Sequence, residues 1–131
     1  MNYGQILFAG FIAVVGWFIT DELKRRSDLK SKQRELKIKS LENCYMILAT
    51  TSNRPPSDDI AIKIENMISE LQLYGNYEQI ELVKKMVNDF KENSDVSYDD
   101  MLISLRNTIR TELELENLGN EPVWWLRLKA Q

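Results

Sequence analysis

Residues 3–20 read YGQILFAGFIAVVGWFIT, and residues 21–40 continue as DELKRRSDLKSKQRELKIKS. The first stretch carries no charged side chain. Its polar groups are Gln5 and the flanking Tyr3 and Thr20. As a helix rising about 1.5 Å per residue, a segment of this length spans roughly 27 Å, close to the ~30 Å hydrocarbon core of a bilayer. Tyr3 and Trp17 sit near its two ends, where aromatic rings favour the membrane–water interface, and Asp21 with Glu22 closes it. Residues 1–20 are therefore expected to form a transmembrane anchor. A cleaved signal peptide fits less well: no Lys or Arg precedes Tyr3, and Phe18, Ile19 and Thr20 make a poor cleavage site. The rival expectation is the buried core helix of a soluble protein, since the stretch is short for a span.

Charge is unevenly placed. Residues 21–40 hold eight bases against four acids, while residues 41–131 balance at −7. The bases nearest the apolar stretch are Lys24, Arg25 and Arg26, placed to touch anionic headgroups. By the positive-inside rule the amino terminus lies outside and the C-terminal body in the cytoplasm, at the inner (plasma) membrane. Residues 21–37 contain no Gly or Pro, and the pairs Asp21–Arg25, Glu22–Arg26, Asp28–Lys32 and, just past that boundary, Glu35–Lys39 place the acid four residues before the base, the better order on a helix. A basic helical stalk is expected there. Lys30, Arg34 and Lys37 fall in the heptad seam and argue against a tight symmetric coiled coil.

Ala9, Ala13, Gly16 and Thr20 recur at spacings of four, three and four, forming a small-residue stripe that lets a second helix approach, with Gln5 as an interhelical hydrogen-bonding group. The bland alternative is that Gly and Ala are simply common in membrane helices.

The fold class expected is all-α, with the single N-terminal transmembrane helix continuing into the stalk and then a small antiparallel helical bundle over residues 38–118. Four apolar stripes at helical spacing support it: Ile38, Leu41, Tyr45 and Leu48; Ile60, Ile64, Met67, Ile68 and Leu71; Ile80, Val83, Val87 and Phe90; Met101, Leu102, Leu105, Ile109 and Leu113. The first helix should stop near Thr50, before Pro55 and Pro56. Ser57 should cap the second and Gly75 end it, Asn76 with Gln79 should form a capping box on the third, and Ser97 with Asp100 should open a fourth that ends near Gly119. Residues 119–131 form a tail with Trp124, Trp125 and Arg127. The tryptophans are expected to pack over the bundle, with docking to a partner or contact with the membrane interface as alternatives.

Catalytic patterns are missing. With no histidine and a lone cysteine, Cys44, neither the common zinc sites nor His-based nucleophile arrangements can be assembled. No Gly-rich phosphate loop occurs, and an acidic body offers no electrostatic footprint for nucleic acid. Asp58–Asp59 and Asp99–Asp100 fall at helix starts, where dipole and capping roles explain them. Arg106 and Arg110 lie one turn apart and are a candidate clamp for an anion or carboxylate, although pairing with Glu112, Glu114 or aspartates is the plainer expectation. Cys44 is expected in or beside the core.

The stretch LQLYGNYEQIELVKKMVNDF, followed by LRNTIRTELELE, resembles a pattern in uncharacterised small bacterial proteins with an N-terminal membrane helix and a basic stalk. Leu71, Tyr74, Gly75, Glu78, Leu105, Arg106, Arg110 and Glu112 carry the likeness. The resemblance implies a bacterial inner-membrane setting and supplies no function. The expectation is a single-pass, signal-anchored, non-enzymatic interaction module without cofactor, metal or nucleic acid. Its partners would be the bilayer and either another protein or a second copy. The alternative is an oligomeric membrane-perturbing effector, a toxin or defence component, assembling through its transmembrane helix. A third possibility is a ligand sensor using Arg106 and Arg110.

Overall fold

A computed structural model describes residues 2–52, 54–93 and 95–124. Four helices account for the regular structure, and no strand occurs among the described residues. They are α1 (Tyr3–Thr51), α2 (Asp58–Tyr74), α3 (Tyr77–Lys91) and α4 (Asp99–Glu112). The chain divides into two units, Met1–Leu36 and Lys37–Gln131.

In the first unit α1 is exposed on all sides. Leu7, Phe8, Phe11, Ile12, Trp17 and Phe18 all face outward, and an 18-residue apolar window has none of its residues buried. The helix is long and apolar enough to span a membrane. Charged residues then take over, and Glu22 accepts from Arg25 at 3.0 Å and from Arg26 at 3.1 Å.

The second unit is an up-down-up-down bundle, and its polar contacts fix the directions. Cys44 approaches the Met67 carbonyl while Ser40 and Asn43 donate to Glu70, so α2 runs antiparallel to α1. Gln79 meets Ser104 and Thr108 while Phe90 meets Tyr98, so α4 runs antiparallel to α3. Lys37 reaches Glu112 at 3.0 Å and closes the ring between α1 and α4. Leu41, Cys44, Leu48, Met67, Leu71, Val83, Met86, Met101, Leu102 and Leu105 form the core. Each fully buried leucine contributes roughly 1.5–3 kcal/mol relative to exposure.

Local chemistry sets the ends. At the close of α1, the hydroxyls of Thr50, Thr51 and Ser52 donate to carbonyls one turn back, and Arg54 Nε donates to the Thr50 carbonyl at 2.7 Å. The hydroxyls add a second bond to carbonyls that already accept a backbone N–H, whereas Arg54 satisfies the Thr50 carbonyl, one that the helix itself leaves unpaired before Pro55 and Pro56. Ser57 caps α2 by accepting from the Ile60 N–H, and Asn76 and Gln79 form the full reciprocal box on α3. Gly75 does end α2, but in extended rather than left-handed backbone; a Cβ there would lie 2.6 Å from the Leu71 carbonyl oxygen.

Two expectations about α4 fail. Its cap is Tyr98, without a side-chain hydrogen bond, in place of Ser97. Val96 and Tyr98 pack against the core, and that packing sets where the helix begins. The helix also ends at Glu112, well before Gly119. Glu114 adopts left-handed backbone (φ 59°), its N–H bonding the Thr111 carbonyl and the Leu115 N–H bonding the Arg110 carbonyl at 2.7 Å. This is the Schellman arrangement, with a glutamate where glycine is usual. Leu113, expected in the fourth stripe, lies past the last turn and is half exposed.

Candidate functional site

The residues after α4 return along it as an extended strap. Arg110 Nε donates to the Glu116 carbonyl at 2.7 Å, and Asn107 Nδ2 to the Gly119 carbonyl at 2.7 Å. Arg106 donates to the Gly119 carbonyl at 3.2 Å and to the Pro122 carbonyl at 3.4 Å. Three neighbouring side chains of α4 thus hold every third carbonyl of the strap. Gly119, at φ 59°, makes the turn that this requires, and its N–H donates to Asn117 Oδ1 at 2.6 Å. Beyond the last anchor Val123 packs against the core, while Trp124 is 82% exposed.

This geometry gives the arginine pair a different occupation from either sequence expectation. Arg106 and Arg110 bind backbone carbonyls of their own chain. Glu112 is held by Lys37 instead. The tail tryptophan reading also changes: Val123 makes the contact that Trp124 was expected to make, because the strap's direction turns position 123 inward. Trp125 and Arg127 lie outside the described residues.

Between the strap, α4 and the first turn of α3 lies a polar cleft of about 460 Å³, lined by Glu78, Ser104, Asn107, Thr111, Asn117 and Asn120 among others. Gln79 bonds two of the residues that line it, Ser104 and Thr108. Its side chain is fully buried, accepts from the Asn76 N–H at 3.0 Å and donates to Ser104 Oγ at 3.3 Å and Thr108 Oγ1 at 3.0 Å. The capping box revealed the local half of this residue's role. The cross-helix half left no periodic signal, since it depends on two hydroxyls 25 and 29 residues away.

A second polar node sits between α1 and α2. Glu70 accepts from Ser40 Oγ at 3.0 Å and from Asn43 Nδ2 at 3.2 Å, with Cys44 Sγ at 3.6 Å. Burial, and then the nearby Glu70 charge, push the Cys44 thiol up to about 12. A thiol held protonated in this way is a packing group rather than a nucleophile. Among the described residues no group of three or more His, Cys, Asp or Glu side chains is placed to hold a metal ion.

On the first unit, Ala9, Ala13, Gly16 and Thr20 are exposed, and the space where a Gly16 Cβ would project is empty. Thr20 Oγ1 donates to the Gly16 carbonyl at 2.8 Å, so this hydroxyl serves its own helix. Of Lys24, Arg25 and Arg26, the two arginines share Glu22, whose carboxyl they hold below its ordinary range, chiefly through the Arg25 hydrogen bond. These pairs are exposed, so their stabilising effect is small.

Compared with known proteins, the chain matches no family model, no curated protein and no solved structure.

Proposed function

We propose that this chain is a single-pass membrane-anchored interaction module without catalytic activity, its helical bundle in the cytoplasm of a bacterial cell and its amino terminus outside. The observation that carries the reading is the wholly exposed apolar surface of α1 over an 18-residue window, in a unit separate from the packed bundle. An apolar surface of that extent needs a non-aqueous environment or a partner. The basic run that follows it supports the orientation. Trp124, exposed at the end of a strap that the bundle holds in place, is the anchor offered to a protein partner.

The test is extraction of cell membranes at alkaline pH. The full chain stays with the membrane, and residues 21–131 expressed alone stay soluble. Release of the full chain by the wash rejects the anchor. Protease added to spheroplasts leaves the bundle intact in the proposed orientation and degrades it in the opposite one. Capture of partners by the full chain, compared with a Trp124→Ala variant, tests the anchor role of the tail.

One observation favours a second reading, an oligomeric effector that perturbs the bilayer: the Ala9–Ala13–Gly16 face is open along its length. Growth arrest on expression, abolished by Ala13→Leu with Gly16→Leu, supports it, and harmless high expression removes it.

A further inference from the structure

We propose that the strap is exchangeable: residues 116–123 of one copy dock along α4 of a second copy, in the place its own strap otherwise fills, giving a reciprocally strapped dimer. The α4 anchors recognise backbone. Arg106, Asn107 and Arg110 bind carbonyls at positions 116, 119 and 122, so an identical segment from another copy satisfies all four of these side-chain bonds, and opening the hinge gives up only the Glu114–Thr111 and Leu115–Arg110 backbone bonds that close α4. The two forms therefore differ mainly at the hinge, residues 113–115.

Two features of the hinge favour exchange. In the closed chain Glu114 is in left-handed backbone at φ 59°, a conformation that carries a steric cost for a residue with a side chain. Opening the hinge to extended backbone removes that cost. Leu113 and Leu115 are each half exposed in the closed chain. In an extended hinge these alternate residues fall on one face, and two hinges running side by side bury them against each other. Strained short hinges are the known weak point at which protomers exchange an element. The occupant is a second copy because the site already fits this segment in every anchor.

The experiment uses the full chain in mild detergent with Thr111→Cys and Asn120→Cys, two exposed positions that line the same cleft from α4 and from the strap. Light and isotopically heavy chains are mixed, incubated and treated with a short bis-maleimide; Cys44 is buried and gives no background. The expected result is a 111–120 link joining light to heavy peptides, its yield falling several-fold when Glu114→Gly is added. Links confined to single chains overturn the proposal, and they do so even when the chains are dimeric through α1. Absence of any 111–120 link overturns it as well, because the strap is then not seated on α4.

Discussion

The side chain of Gln79 donates to Thr108 across 3.0 Å at a fully buried position, while its carbonyl oxygen caps its own helix at Asn76. One residue thereby fixes both where α3 begins and which face of α4 lies against it. Gln79→Ala removes the cap bond and both cross-helix bonds and leaves a cavity. The expected loss is about 2–4 kcal/mol. Urea unfolding of the bundle, followed by far-UV circular dichroism in mild detergent, checks it. A loss below about 1 kcal/mol would assign Gln79 the cap alone.

Two serines that look equivalent in sequence separate in the fold. Ser57 accepts the Ile60 N–H, whereas α4 begins at Tyr98 with no side-chain cap. Ser57→Ala should cost about 1 kcal/mol, and Ser97→Ala should fall within about 0.5 kcal/mol of the parent. The same unfolding curves decide it, and equal losses would restore Ser97 as the cap.

That contrast shows what local sequence carries. The number of helices, the end of α1 near Thr50, the Ser57 cap and the Asn76–Gln79 box were all legible, because each depends on residues within one turn. The start of α4 was not, since core contacts by Val96 and Tyr98 decide it. Its end was hidden for another reason. A search for glycine as the stop signal leads to Gly119, while the left-handed residue that terminates the helix is Glu114. Residues 113–118 consequently read as helix and 119–131 as a tail, which hides the strap that spans both. From sequence Arg106 and Arg110 read as partners for carboxylates, whereas the strap supplies backbone carbonyls to both. Within the apolar segment, composition gave the helix directly, since no tertiary contact shapes it.

Glu114 offers a stabilising substitution. Glycine has no Cβ to crowd the left-handed conformation, and the Thr111 and Arg110 carbonyls keep their partners. Glu114→Gly should raise stability by about 1 kcal/mol after allowing for the added freedom of the unfolded chain. An increase in melting temperature of a few degrees is the expected reading. A decrease would mean that the Glu114 side chain contributes more than its backbone costs.

Cys44 sets a pH dependence whose sign follows from its burial. The thiol is pushed from an ordinary value of 9.0 up to about 12, first by desolvation and then by the Glu70 charge. Below pH 9 folded and unfolded chains both hold the proton, and the group adds no slope. Between pH 9 and about 12 the unfolded chain releases it while the folded chain retains it, so stability falls as pH rises. Tyr98, raised by burial as well, falls in the same direction, so the contribution of the thiol has to be read as a difference. Cys44→Ala supplies it: the variant should be less stable at neutral pH, through the lost packing, yet lose less additional stability than the parent between pH 9 and 11. Parallel curves for the two proteins would show that the thiol titrates alike in both states and is reachable by water. Maleimide labelling of the folded parent at pH 8 gives an independent check. Slow labelling that accelerates on addition of urea is the outcome that burial requires.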